Sequence, residues 1–117
     1  MIYTLKLTDK IEAGTAGYAR AWMIRIRPAY KDDIGLLEHE KTHVLQFWKL
    51  GAFFHTLRYA ISKSYRLKAE VEAYRVQLEY PPANGQDEYR RIYAGFIAKD
   101  YNLGISEEEA YRLLRAE

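Results

Sequence analysis

The chain has 117 residues, 49% of them apolar, which suits one domain spanning 1–117 around one hydrophobic core. It contains no cysteine, so disulfides and thiolate metal sites are excluded, and any metal must be held by histidine and carboxylate. With 18 basic and 16 acidic residues the net charge is +2, a mixed surface rather than a nucleic-acid footprint. Met1–Lys10 lacks a basic segment followed by an apolar run, and no apolar stretch is long enough to span a bilayer. A cytoplasmic protein without nucleic-acid or membrane partners is therefore expected.

In chain order, Ile2–Leu7 is rich in β-forming residues and reads as a short strand, followed by a loop or hairpin marked by Gly14 and Gly17. Ala19–Arg27 alternates, with Trp22, Ile24 and Ile26 on one side and Ala21, Met23, Arg25 and Arg27 on the other, and Pro28 ends it. Its arginines suit an edge strand, where charge discourages self-pairing. Asp32 or Asp33 can cap the next helix and Gly51 can close it. Ile34, Leu36, Leu37, Val44, Leu45, Phe47 and Trp48 cover much of its circumference, so it is expected at the centre of the fold. Trp22 and Trp48 are read as core residues, and Gly51–Ser62 as a connection whose structure the sequence pattern leaves open. A second helix is expected from about Ser64 to Tyr80, with a stripe of Leu67, Val71, Tyr74 and Leu78, stopped by Pro81-Pro82. A third begins near Asp87 and is expected to bury Tyr89, Ile92, Tyr93, Phe96 and Ile97. A short fourth follows Ser106, with Glu109 in the capping-box position. The expected class is α+β: a small antiparallel sheet of two or three strands packed on the first helix, then a glutamate-bearing helix and two more.

The first helix carries the chemistry. His39-Glu40-Lys41-Thr42-His43 reads H-E-x-x-H. Residues four apart share a helix face, so His39 and His43 can grip one metal ion, and Glu40 falls beside that face as a candidate proton acceptor for an activated water. Two neutral imidazoles suit Zn²⁺, and a third protein ligand with an open position would make the site catalytic. The remaining histidine, His55, follows the helix closely. The longer form H-E-x-x-H-x-x-G-x-x-H is excluded, because Gln46 and Lys49 stand where it needs Gly and His.

The second helix offers Glu70 and Glu72. At about 100° per residue, Glu70 lies roughly 70° from the centre of the apolar stripe and Glu72 roughly 130°. Glu70 can thus border the buried face, where a carboxylate is costly unless paired or metal-bound, while Glu72 turns toward water. Glu70 is the expected third ligand; the competing reading is an ion pair with Lys or Arg on a neighbouring element.

An H-E-x-x-H helix followed a few dozen residues later by a glutamate helix resembles the gluzincin metallopeptidases. The chain is similar in size to minimal single-domain members and to short H-E-x-x-H proteins of phage and prophage genomes. The resemblance covers roughly Arg20 to Gln77. It implies zinc held by His39, His43 and Glu70, Glu40 as general base, and a peptide or protein substrate paired to an edge strand at Met23, Ile24 and Arg25. In the family's Glu-x-x-x-Asp pattern, the Asp usually orients a zinc-bound histidine. Here the stretch is Glu70-Val71-Glu72-Ala73-Tyr74, so Tyr74 would have to accept that hydrogen bond. His55 and Tyr74 are candidate oxyanion donors, alongside Tyr59, Tyr65 and Arg75. The alternatives are a zinc-binding structural or interaction protein without turnover, and a small helical adaptor in which the motif is coincidental.

Overall fold

The computed structural model describes residues 2–115 and has an α+β arrangement. Among the described residues there are three strands, β1 (Thr4–Leu7), β2 (Gly17–Arg20) and β3 (Met23–Ile26). Five α-helices follow: α1 (Ile34–Leu50), α2 (Ala52–Ile61), α3 (Lys63–Gln77), α4 (Gln86–Asp100) and α5 (Glu107–Arg115). None of the helices among the described residues is long and apolar enough to cross a membrane.

The sheet corrects two expectations. Its order is β1-β3-β2, with β3 parallel to β1 and antiparallel to β2, so it is mixed rather than antiparallel. The alternating run Ala19–Arg27 is two strands joined at Ala21-Trp22, and its second half is the central strand, not an edge. Ile24 faces Leu5 on one side and Ala19 on the other, and Arg25 faces Lys6 and Tyr18. The turn lacks a glycine: Ala21 takes φ of 55°, the left-handed region that usually calls for one. Arg27 is likewise no free edge charge. Its guanidinium donates to the carbonyls of Thr15 (2.7 Å), Ile11 (2.8 Å), Glu12 (3.0 Å) and Asp9 (3.1 Å), stapling the loop between β1 and β2.

One face of β3 packs on α1. Ile24, Ile26 and Val44 form a buried cluster lined by Tyr3, Ala19, Leu36 and Leu37. Ile24 is 1% exposed. Ile24→Ala is expected to lower stability by about 2–5 kcal/mol, read as a lowered urea midpoint, because the cavity lies between sheet and helix, where neither element can collapse freely. Leu5→Ala, on the exposed β1, should move the midpoint little by comparison.

Asp33 starts α1 by accepting from the Leu36 N–H at 2.9 Å. Gly51, at φ 94°, both ends α1 and begins α2. The segment expected to be a connection is therefore a helix. Ser62 ends it and caps α3, its Oγ accepting from the Tyr65 N–H at 3.1 Å. A second apolar cluster, built on Tyr74, Leu78, Tyr93, Ala94, Ile97 and Leu114, joins α3, α4 and α5. α4 is rotated from its expected phase: Tyr93, Ala94 and Ile97 are buried, whereas Tyr89, Ile92 and Phe96 are exposed. The serine half of the α5 cap forms, Ser106 Oγ accepting from the Glu109 N–H. Trp22 and Trp48 are not core residues. They are about half exposed and stack on each other at 6.5 Å, and the Trp48 indole N–H donates to the Ile2 carbonyl at 2.9 Å.

Candidate metal centre

The α1–α3 interface lies between the two apolar clusters, and the motif residues meet there. Helical spacing puts His39 and His43 on the face of α1 turned to α3, with ring centroids 5.0 Å apart. Glu70 comes from α3 and is 1% exposed. Its Oε1 lies 3.1 Å from His43 Nε2 and 3.6 Å from His39 Nε2. One potential ligand atom from each of the three residues falls within 4.8 Å of the other two. The competing reading of Glu70 as a partner for Lys or Arg does not hold: among the described residues its ionic partners are the two imidazoles.

The donor set fits a zinc ion. Two imidazole nitrogens and one carboxylate oxygen are its preferred donors in the absence of thiolates. The environment of His43 further selects a tautomer. Gln46 Nε2 donates to the Ala69 carbonyl (3.0 Å) and to Glu72 (2.8 Å), which turns its Oε1 toward His43 Nδ1 at 2.9 Å. Nδ1 must therefore carry the proton, and a neutral His43 presents the Nε2 lone pair to the space beside Glu70. Gln46 is thus a part of the candidate site that reading the sequence missed, although its position three residues after His43 on one helix face could have revealed it.

His39 is oriented differently. Tyr74 stands where an acid was sought, but its hydroxyl pairs with the Tyr101 hydroxyl at 2.7 Å rather than with the imidazole. Its ring packs edge-on against His39 with centroids 4.3 Å apart. The expectation that Tyr74 accepts a hydrogen bond from His39 is therefore corrected: it holds the ring by shape, and His39 Nδ1 is buried without a partner among the described residues.

Glu40 is 5% exposed. Burial pushes its carboxyl pKa up, and the charges of His39 and His43 pull it only part of the way back. An acid whose pKa is raised toward neutrality is suited to accept and return a proton. Tyr59, on α2, donates its hydroxyl to Glu70 Oε2. Burial and the neighbouring Glu70 charge push its pKa far above the usual phenol range, so it remains a donor at neutral pH.

His55 lies close by, with its ring 6.0 Å from Tyr59, but its Nδ1 pairs with the Tyr65 hydroxyl at 2.7 Å. Burial and the neighbouring His43 charge lower its pKa, so it favours the neutral form. The structure thus brings together His39, Glu40, His43, Glu70, Tyr74 and Tyr59, with His55 at the margin. Met23, Ile24 and Arg25 are not part of an accessible edge, because β3 is paired on both sides; the free edges belong to β1 and β2. In comparisons with known proteins, the chain matches no family model, no curated protein and no solved structure.

Proposed function

We propose that this chain is a zinc-dependent metallopeptidase in which His39, His43 and Glu70 hold the metal and Glu40 is the general base. The observation that carries this reading is the approach of two imidazole Nε2 atoms to one buried carboxylate oxygen, beside a second buried acid outside the ligand set. When bound, zinc would polarise the scissile carbonyl and lower the pKa of a water from 15.7 toward about 7. Glu40 accepts the proton of the attacking water and passes it to the leaving amine, the cycle its raised pKa favours. Gln46 fixes the His43 tautomer, and Tyr74 holds the His39 ring. Tyr59 stands at the site with its single hydroxyl proton on Glu70, so it would serve a developing oxyanion only by releasing that carboxylate, and His55 has Nδ1 paired with the Tyr65 hydroxyl.

A second reading is a zinc protein without turnover. It is favoured by the burial of His39 and Glu70, at 4% and 1% exposure, and by the Tyr59 hydroxyl closing on Glu70. Protein purified without chelator and measured by elemental analysis is expected to carry about one zinc per chain. The same preparation should cleave members of a peptide library, lose that activity on chelation and regain it with zinc. Bound zinc with no cleavage across the library would select the second reading, and a chain that cannot be loaded with zinc would defeat both.

A further inference from the structure

A cleft of about 480 Å³ opens between the end of α1, α2 and the start of α3, a volume within the range of small-ligand sites. Each of the three helices contributes a cation to its lining: Lys49, Arg58 and Lys68. Among the described residues none of the three has a carboxylate within ion-pair distance. The one acid in the lining, Glu72, already accepts from Gln46 Nε2. Arg58 is held in place by stacking, its guanidinium 5.3 Å from the centre of the Tyr65 ring. Ser64 adds a hydroxyl to the lining, and the cleft reaches the first turn of the 15-residue α3, whose dipole favours negative charge.

We infer that this cleft is an anion-binding site for a ligand bearing carboxylate or phosphate groups. Three unpaired cations from three elements converge on a concave surface, and an oxyanion supplies both the missing charge and the acceptors their N–H groups lack. The inference does not depend on the peptidase reading. It does place the anion next to the candidate metal centre, because Gln46 lines the cleft and also bonds His43.

Amide NMR spectra of the full chain test the site. Inorganic phosphate and, separately, a tetraglutamate peptide are added at ionic strength held constant with sodium chloride. At least one of them is expected to give saturable shifts at Lys49, Arg58, Ser64, Tyr65 and Lys68. The double substitution Arg58→Gln and Lys68→Gln, both at exposed positions, should weaken that binding by about tenfold or more. Lys49→Gln alone gives a second check by the same readout. Tighter binding of the peptide would identify carboxylates as the ligand chemistry, and tighter binding of phosphate would identify phosphate groups. The inference is overturned if neither arm saturates by about 10 mM, an affinity too weak for a formed site. It is equally overturned if the shifts survive the double substitution or gather instead around His39 and His43.

Discussion

Glu40→Gln is expected to lower peptide hydrolysis by about 10²–10⁴-fold while leaving the bound zinc in place. The two halves of this result come from separate features of the site. The carboxylate that completes the candidate ligand set is Glu70, so an amide at position 40 would remove no ligand. It does remove the group able to take a proton from water. The substitution should also leave the metal-free fold as stable as before, or more so. Burial raises the Glu40 pKa, which means that the ionised side chain costs the fold stability at neutral pH, and an isosteric amide is relieved of that cost. A slow, zinc-loaded and fully stable variant is thus the expected signature, read from turnover, elemental analysis and thermal melting together. Hydrolysis that survives at the parent rate would remove Glu40 as the base. Loss of both zinc and stability would show that it holds the structure instead.

The parts of this site that could be read in the sequence are those governed by a single helical period. His39 and His43 share a face because they are four residues apart, and the angular distance from Leu67, Tyr74 and Leu78 places Glu70 at the buried edge while Glu72 is exposed. The parts that could not be read depend on partners distant in the chain. The alternation of Ala19–Arg27 runs unbroken through a hairpin whose turn uses alanine at positive φ, so no glycine announces that one strand is two. With the turn hidden, the parallel partner β1 was hidden too, and a doubly paired strand was read as an edge. The helix Ala52–Ile61 is ten residues bounded by Gly51 and Ser62, residues that punctuate loops as readily as they cap helices. Tyr74 illustrates a subtler limit. Its place in the sequence suggested a hydrogen bond to His39, but Tyr101, 27 residues later, takes the hydroxyl and leaves only the ring for the histidine.

Metal-free protein is expected to lose thermal stability as pH rises from about 6.5 to 9, and bound zinc should remove that trend. Burial alone would lower the His43 pKa, but the charge and hydrogen bond of Glu70, with Glu40 and Gln46, outweigh it and hold the pKa up at about 9. A histidine whose folded pKa exceeds its unfolded value of 6.5 contributes stability that is complete below pH 6.5 and lost as pH climbs through 9. Burial would likewise raise the Glu70 pKa, yet His43 and His39 hold it well below the usual carboxylate range. Its contribution is present above the unfolded carboxylate pKa of 4.5 and lost as the solution becomes more acidic. The metal-free pair therefore stabilises best between these limits, as an imidazolium against a carboxylate. Zinc requires the opposite state of His43, because its Nε2 must give up the proton to become a ligand. Apparent zinc affinity should accordingly rise by about tenfold per pH unit toward pH 9, and the gap in melting temperature between loaded and metal-free protein should widen over the same range. Glu70→Gln should abolish both behaviours at once. It removes a ligand, weakening zinc binding by more than about 100-fold, and it removes the charge that keeps His43 protonated. The measurements are melting curves and competitive zinc titrations at a series of pH values. A metal-free protein whose melting temperature holds or rises between pH 6.5 and 9 would show that the buried pair is not ionised.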